Sequence, residues 1–447
     1  MNKKLGLLDC VMLIMGSMIG SGIFIVPAAM SRDLQSPLML LFAWIVTALI
    51  TLMAALSYGE LSAMMPKAGG QYVYLQRAYN KLFGFLYGWT LFAVIQTGTI
   101  AAVAVAFAKF SGVFFPAISD QVILFDLGFI KIQSQQMLAL AVIWLLTLFN
   151  FLPVKNGAWL QNIFTFTKIG AIVFLVIAGL YHLYMHGAQH STLTFSANAS
   201  GFSYWGLFCA AMVGSIFSAD AWNNITFTGG EIEAPQRNLP LSLLIGTLSV
   251  SALYVFINLI YIGVLPFDAI QHAPSDRVGT LLLQTVLGEV GMYVMAAFIM
   301  ISTFGCINGI TLSGARVYYA MALDGLFFKR AATKNNYDSP QAALIMQAIW
   351  TSLLTLSGSY GDLLDYVVFA VLLFYILTVA GVFILRQKEP DALRPYKVWG
   401  YPVLPALYIL IAMFICISLL IYKPVFTYPG LAIVLAGIPI YYLIRKK

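Results

Sequence analysis

Residues 16–24 read GSMIGSGIF, three glycines and two serines set in the middle of the first long apolar run of the chain. Glycine weakens a helix by about 1 kcal/mol relative to alanine. Inside hydrocarbon an interrupted helix also bares N–H and C=O groups at several kcal/mol each, tolerable only where they line a cavity or bind something. A second apolar run carries the same defect, GSIFSADAWNN at residues 214–224. Paired broken helices at matching positions of two inverted halves point to the central site of a transporter.

The rest of the chain supports a membrane setting. Of 447 residues, 61% are hydrophobic and 9% charged, whereas a soluble domain is about a quarter charged. A helical span needs about 20 mostly apolar residues, and twelve such stretches are predicted, at roughly 7–32, 37–63, 82–115, 135–152, 158–180, 203–228, 239–264, 281–320, 342–358, 361–385, 403–422 and 425–445. The alternating ten-residue segments of a closed β-barrel are missing. The opening MNKKLGLLDC runs into a long span with no small-residue cleavage site, so no signal peptide is expected.

The formal charge of +7 does not indicate nucleic acid, because the basic residues lie in short loops between spans. With the amino terminus in the cytoplasm, 18 of the 24 Lys and Arg fall inside, five outside (Arg32, Lys109, Lys131, Arg277, Lys423), and Lys168 stays in the membrane. That bias places both termini in the cytoplasm. Cys10, Cys209, Cys306 and Cys416 are scattered in spans without a CxxC, so neither a disulfide framework nor a zinc site is indicated. The longest outer loop, about residues 181–202, is too short to bury a core. No HExxH or GxSxG is present and the histidines fall in outer regions, which argues against an enzyme; no cofactor is expected.

Each break has its own chemistry. In span 1 the N–H groups of Ser21, Gly22 and Ile23 would open a half-helix, where the dipole favours a carboxylate. In span 6 the carbonyls from Phe217 to Asp220 would suit an ammonium group, so a zwitterion fits between them. The competing reading of span 1 is close helix packing, since Gly16 and Gly20 have small-xxx-small spacing; the paired break in span 6 favours a binding site.

At these motifs the chain resembles the amino acid–polyamine–organocation superfamily and, within it, the L-type amino acid transporter family. The resemblance runs through YGELSAMMPKAGGQYVYLQRAY at 58–79, FSADAWNNITFTGGEIEAPQRNLPLSL at 217–243, FGCINGITLSGARVYYAMALDGLFF at 304–328 and RPYKVWGYPVLP at 394–405. It implies an all-α membrane protein of twelve spans with the leucine-transporter-type fold. Residues 1–180 would form a first five-span repeat, 203–385 an inverted second repeat, and 386–447 two extra helices. It also implies alternating-access transport of amino acids, with Ile19, Ser21, Gly22 and Ile23 matching the carboxylate-binding loop and Phe217, Ser218 and Asp220 the amino-binding segment. Phe217 matches the aromatic that closes over the substrate.

Lys168 stands near the middle of span 5, where a cation costs a few kcal/mol and needs a partner. In this fold it faces the place where sodium-coupled relatives hold an ion between spans 1 and 8. A fixed ammonium tethering span 1 near Gly20 to span 8 near Ser313 implies sodium independence. Two functional readings stay open: a permanent charge that supports exchange, or a lysine that releases its proton during the cycle. A snorkelling lysine is the structural alternative.

Asp220 could attract an ammonium group, a basic side chain or a proton, or cap the second half-helix of span 6. Asn223 and Trp222 could line the side-chain pocket. Glu60, Glu231, Glu233, Arg237 and Arg316 sit at span ends as gate ion pairs or anchors. His182, His186 and His190 share one helical face, but Gly187 suggests a frayed loop, so no metal site is expected. Asn198-Ala199-Ser200 is a formal glycosylation sequon. Relatives that pair with a glycoprotein heavy chain carry a cysteine after span 3, where this chain reads FFPAISDQVILFDLG, so no disulfide-linked heavy chain is expected.

The expected function is a sodium-independent exchanger of neutral L-amino acids in the plasma or inner membrane. The alternatives are a proton-coupled amino acid symporter and a carrier of cationic amino acids or polyamines on the same fold.

Overall fold

Within hydrocarbon a backbone can satisfy its polar groups only internally, and the apolar runs accordingly fold as helices. The computed structural model describes residues 5–119, 121–126, 131–152, 154–187, 202–357 and 360–445. Span 1 is two helices, α1 (Leu7–Met18) and α2 (Gly22–Leu34), followed by α3 (Pro37–Met64) and a short α4 (Gln71–Ala78). Span 3 consists of α5 (Lys81–Thr90), a π-helical turn at Leu91–Ile95 and α6 (Gln96–Ser111). A small antiparallel hairpin, β1 (Ile123–Asp126) and β2 (Lys131–Gln133), leads into α7 (Ser134–Phe149) and the long α8 (Val154–His186).

Span 6 is again broken, into α9 (Phe202–Ala211), α10 (Val213–Ser218) and a 3₁₀ segment at Trp222–Glu231. Then follow α11 (Pro235–Val264), α12 (Phe267–Gln271), α13 (Val278–Leu287), α14 (Glu289–Leu323), α15 (Gln341–Ser357), α16 (Tyr360–Lys388), α17 (Val403–Tyr422) and α18 (Pro424–Arg445). Among the described residues ten helices are long and apolar enough to cross a membrane. The fourth and ninth of the twelve stretches expected from sequence form shorter apolar helices, α7 with 16 residues and α15 with 17. The stretch near 281–320 divides at Gly288, whose φ of 69° ends α13 before α14 begins.

The carboxyl-terminal end of span 5 differs from expectation: α8 stays helical through His186, and the rings of His182 and His186 stack at 4.4 Å. No metal-ligating cluster occurs among the described residues, while His190 and the Asn198 sequon lie outside them.

Packing puts both breaks at the centre. Helix α11 runs along α3, and α1 sits between α8, α11 and α14. One end of the bundle is closed by ion pairs. Arg386 grips both oxygens of the buried Glu60 at 2.9 and 2.6 Å, and the Val398 N–H adds a third donor at 2.7 Å. Buried Arg316 pairs with Glu231 at 2.9 Å, and Arg77 with Glu389 at 2.5 Å. At that same end Leu5 is laced to the segment before α11: its N–H donates to the Glu231 carbonyl at 3.1 Å and its own carbonyl accepts from Glu233 at 2.9 Å.

Candidate functional site

Met18 ends α1 and Gly22 starts α2, so Ile19, Gly20 and Ser21 form the gap. Ser21 is the N-cap and no side chain caps the helix. Gly22 and Ile23 thus hold first-turn N–H groups, which have no partner within their own helix, and which can receive an anion. Across the gap lies Ser218, the last residue of α10. A Cβ on Gly22 would collide with the Ser218 hydroxyl and lie 2.8 Å from its Cβ, so only glycine lets the two breaks meet.

The second break turns on Ala221, whose φ of 67° is left-handed, a conformation costing a non-glycine residue about 1–3 kcal/mol and concentrated at functional sites. The turn leaves the Ser218 carbonyl facing α11, where the buried Tyr254 hydroxyl donates to it at 3.2 Å and to the Met18 carbonyl at 2.9 Å. One phenol therefore ties both interrupted spans together. Phe217 is buried.

Lys168 is 1% exposed. Its ammonium donates to the Gly16 carbonyl at 2.7 Å and the Ile19 carbonyl at 2.8 Å, the very groups that the break in span 1 leaves without helical partners. A positive charge on those oxygens compensates the negative end of α1. From α14, the Ser302 hydroxyl reaches the Ile19 carbonyl at 3.1 Å and the Cys306 thiol reaches the Ser17 carbonyl at 3.0 Å. Gly20 packs against that same cysteine, its would-be Cβ 3.2 Å from Cys306 Sγ. Ser313, expected at this spot, lies elsewhere: its hydroxyl bonds the Gly309 and Ile310 carbonyls of its own helix. Ser302 stands where Ser313 was expected.

The N-cap of the 3₁₀ segment is Ala221, which has no side-chain cap bond, and the Asp220 carboxylate beside it accepts from the Ala221 backbone. Asp220 Oδ1 also accepts the Tyr375 hydroxyl at 2.6 Å. Asn223 donates to Gln71 at 3.0 Å, and Gln71 donates onward to Thr378 at 2.9 Å, linking the 3₁₀ segment through α4 to α16. Asp220 and Asn223 line a cleft with Tyr87, Gln96, Asn224 and Ile310. In this conformation the cleft has room for little more than a single water. The π-helical turn in α5–α6 puts Leu91, Ile95 and Gln96 on the cleft wall, a distortion common at functional sites. Trp222 lines a separate space behind Asp220.

The structure thus gathers Ile19, Gly20 and Lys168 in one cluster, Gly22 and Ser218 in a second, and Asp220 and Asn223 in a third. Sequence reasoning missed Tyr254, Ser302, Cys306 and Tyr375. Gln96 was missed too, although a glutamine within LFAVIQTGTIAAV was a visible signal.

Comparison with known proteins follows this geometry. Residues 5–444 match the family described as amino acid permease. The chain is 29% identical to the serine/threonine exchanger SteT of Bacillus subtilis (strain 168), over 100% of this chain and 98% of that protein. It is 29% identical to the human b(0,+)-type amino acid transporter 1, over 99% and 88%. It is 32% identical to the large neutral amino acids transporter small subunit 2 of Oryctolagus cuniculus, over 99% and 80%.

Proposed function

Because this chain belongs to the amino acid permease family, a family of membrane transporters and not of enzymes, we propose that it exchanges neutral L-amino acids across a membrane without sodium. The observation that carries the reading is the ammonium of Lys168 on the Gly16 and Ile19 carbonyls. A cation fixed to the chain does there what a diffusible metal ion would otherwise do, so no ion need enter with the substrate. The uncapped start of α2 offers donors to a carboxylate, and the turn after α10 offers acceptors to an ammonium group. The names of the relatives, an exchanger among them, point the same way.

The architecture proposed with this reading has twelve spans, counting α7 and α15. Residues 1–180 and 203–385 form two inverted five-span repeats, 386–447 the last two spans, and both termini are cytoplasmic. All four cysteines are buried, which supports a protein that works without a disulfide-linked heavy chain.

Proton-coupled symport is the second reading, favoured by the complete burial of Lys168, since an ionisable group enclosed within a span marks proton pathways. One experiment separates the two. Uptake of a radiolabelled L-amino acid mixture is measured in sodium-free proteoliposomes, with and without unlabelled amino acids inside and with and without an inward proton gradient. Exchange requires internal amino acid and ignores the gradient; gradient-driven uptake into empty vesicles overturns it in favour of symport.

A further inference from the structure

Asp220 stands between two cavities. The first is the cleft described above. The second lies behind it, among α3, α10, α16 and α17, lined by Ile50, Thr51, Ile216, Leu372 and Tyr408 as well as Trp222. Among the described residues, Asp220 and Tyr375 alone line both. They form the partition, joined by the 2.6 Å bond from the Tyr375 hydroxyl to Asp220 Oδ1.

The tyrosine is held firmly. Its ring centroid lies 5.2 Å from that of Trp222 and 5.7 Å from that of Tyr58, the latter edge-on, an arrangement that fixes the direction of the hydroxyl. No lysine, arginine or histidine among the described residues forms an ion pair with Asp220. A half-buried carboxylate without a cation is a strong acceptor for an ammonium or guanidinium group, since charge-assisted bonds are about twice as strong as neutral ones. The phenol occupies Oδ1 of that carboxylate, and its ring stands between the cleft and the rear cavity.

We propose that Tyr375 is a specificity-determining residue, which reserves Asp220 and thereby restricts the site to uncharged side chains. With the hydroxyl removed, Asp220 becomes the receptor for a cationic side chain; with the ring removed as well, the two cavities join and admit its length. This rests on the amino acid transport reading and adds to it the side-chain class and the residue that sets it.

The test uses the full chain in sodium-free proteoliposomes preloaded with unlabelled neutral amino acids. Uptake of a labelled neutral L-amino acid mixture is challenged with L-arginine and, separately, with L-alanine. In the unaltered protein arginine should compete poorly. In Tyr375→Phe the half-inhibitory concentration of arginine relative to alanine should fall about tenfold or more, and adding Asp220→Asn should cancel the change. An unchanged ratio in Tyr375→Phe, or strong arginine competition in the unaltered protein, overturns the proposal. Tyr375→Leu gives the same comparison should the phenylalanine variant not fold. Thermal stabilisation of the purified proteins by L-arginine, expected for the variants alone, tests the assignment without transport. Absence of any amino acid uptake by the unaltered protein would instead sink the transport reading.

Discussion

The ammonium of Lys168 donates a 2.8 Å hydrogen bond to the carbonyl oxygen of Ile19, the residue at which the first span stops being helical. Lys168→Gln removes the charge and leaves the Gly16 carbonyl poorly served, at about 1–3 kcal/mol if it is orphaned, while the Ile19 carbonyl keeps the Ser302 hydroxyl. Exchange in proteoliposomes should fall at least about tenfold, and under every pH gradient. A loss confined to gradient-driven uptake would instead make Lys168 the proton carrier.

Gly22→Ala tests the meeting of the two breaks. The added methyl collides with the Ser218 hydroxyl and lies 2.8 Å from its Cβ and 3.1 Å from its Cα. Overpacking of this kind costs about 1–3 kcal/mol, and uptake should fall by an order of magnitude or more while the protein still reaches the membrane. Ser218→Gly in the same chain removes two of the three clashing atoms and should restore part of the rate; an alanine at 22 that transports normally would show that the breaks separate before substrate enters.

Tyr254→Phe keeps the ring and deletes the hydroxyl that serves the Met18 and Ser218 carbonyls. The net loss is about 1–2 kcal/mol, and the expected readout is a roughly tenfold drop in transport rate with a melting temperature only slightly lowered. A large fall in melting temperature with an unchanged rate would assign the tyrosine to folding alone.

The pair Arg77–Glu389 carries a pH dependence. The hydrogen bond from Arg77 holds the Glu389 carboxyl below its ordinary value. Because the folded-state value is lowered, the contact contributes its stability above the ordinary carboxylate range and loses it as pH falls through the depressed value. Both side chains are partly exposed, 41% and 33%, so the contribution is small. Hydrogen exchange across residues 71–78 should quicken on acidification into that range, and Glu389→Gln should show the quickened exchange at neutral pH.

The two breaks and Lys168 were legible in the sequence because each violates the apolar pattern around it: glycines where a helix should continue, a charge where none belongs. Ser313 shows where that reading stops. It lies eleven residues from Ser302, three helical turns at about 3.6 residues each, so both fall on one face of α14, and periodicity identifies the face but not the depth at which it meets α1. Tyr254 and Tyr375 were hidden for another reason. The chain has 24 tyrosines, most of them in apolar runs, and only the crossing of α11 and α16 with the breaks distinguishes these two. The kinked Ala221 was equally silent, since alanine is the residue that least announces a turn.

The lacing of Leu5 to Glu231 and Glu233 bears on how the protein should be handled. A rearrangement that parts Leu5 from the segment before α11 has to unzip those two backbone bonds, and cargo fused just ahead of Leu5 would tug on them. A fluorescent reporter or purification handle therefore belongs after α18, at the far end of the sequence, if turnover measured on the fusion is to describe the carrier itself.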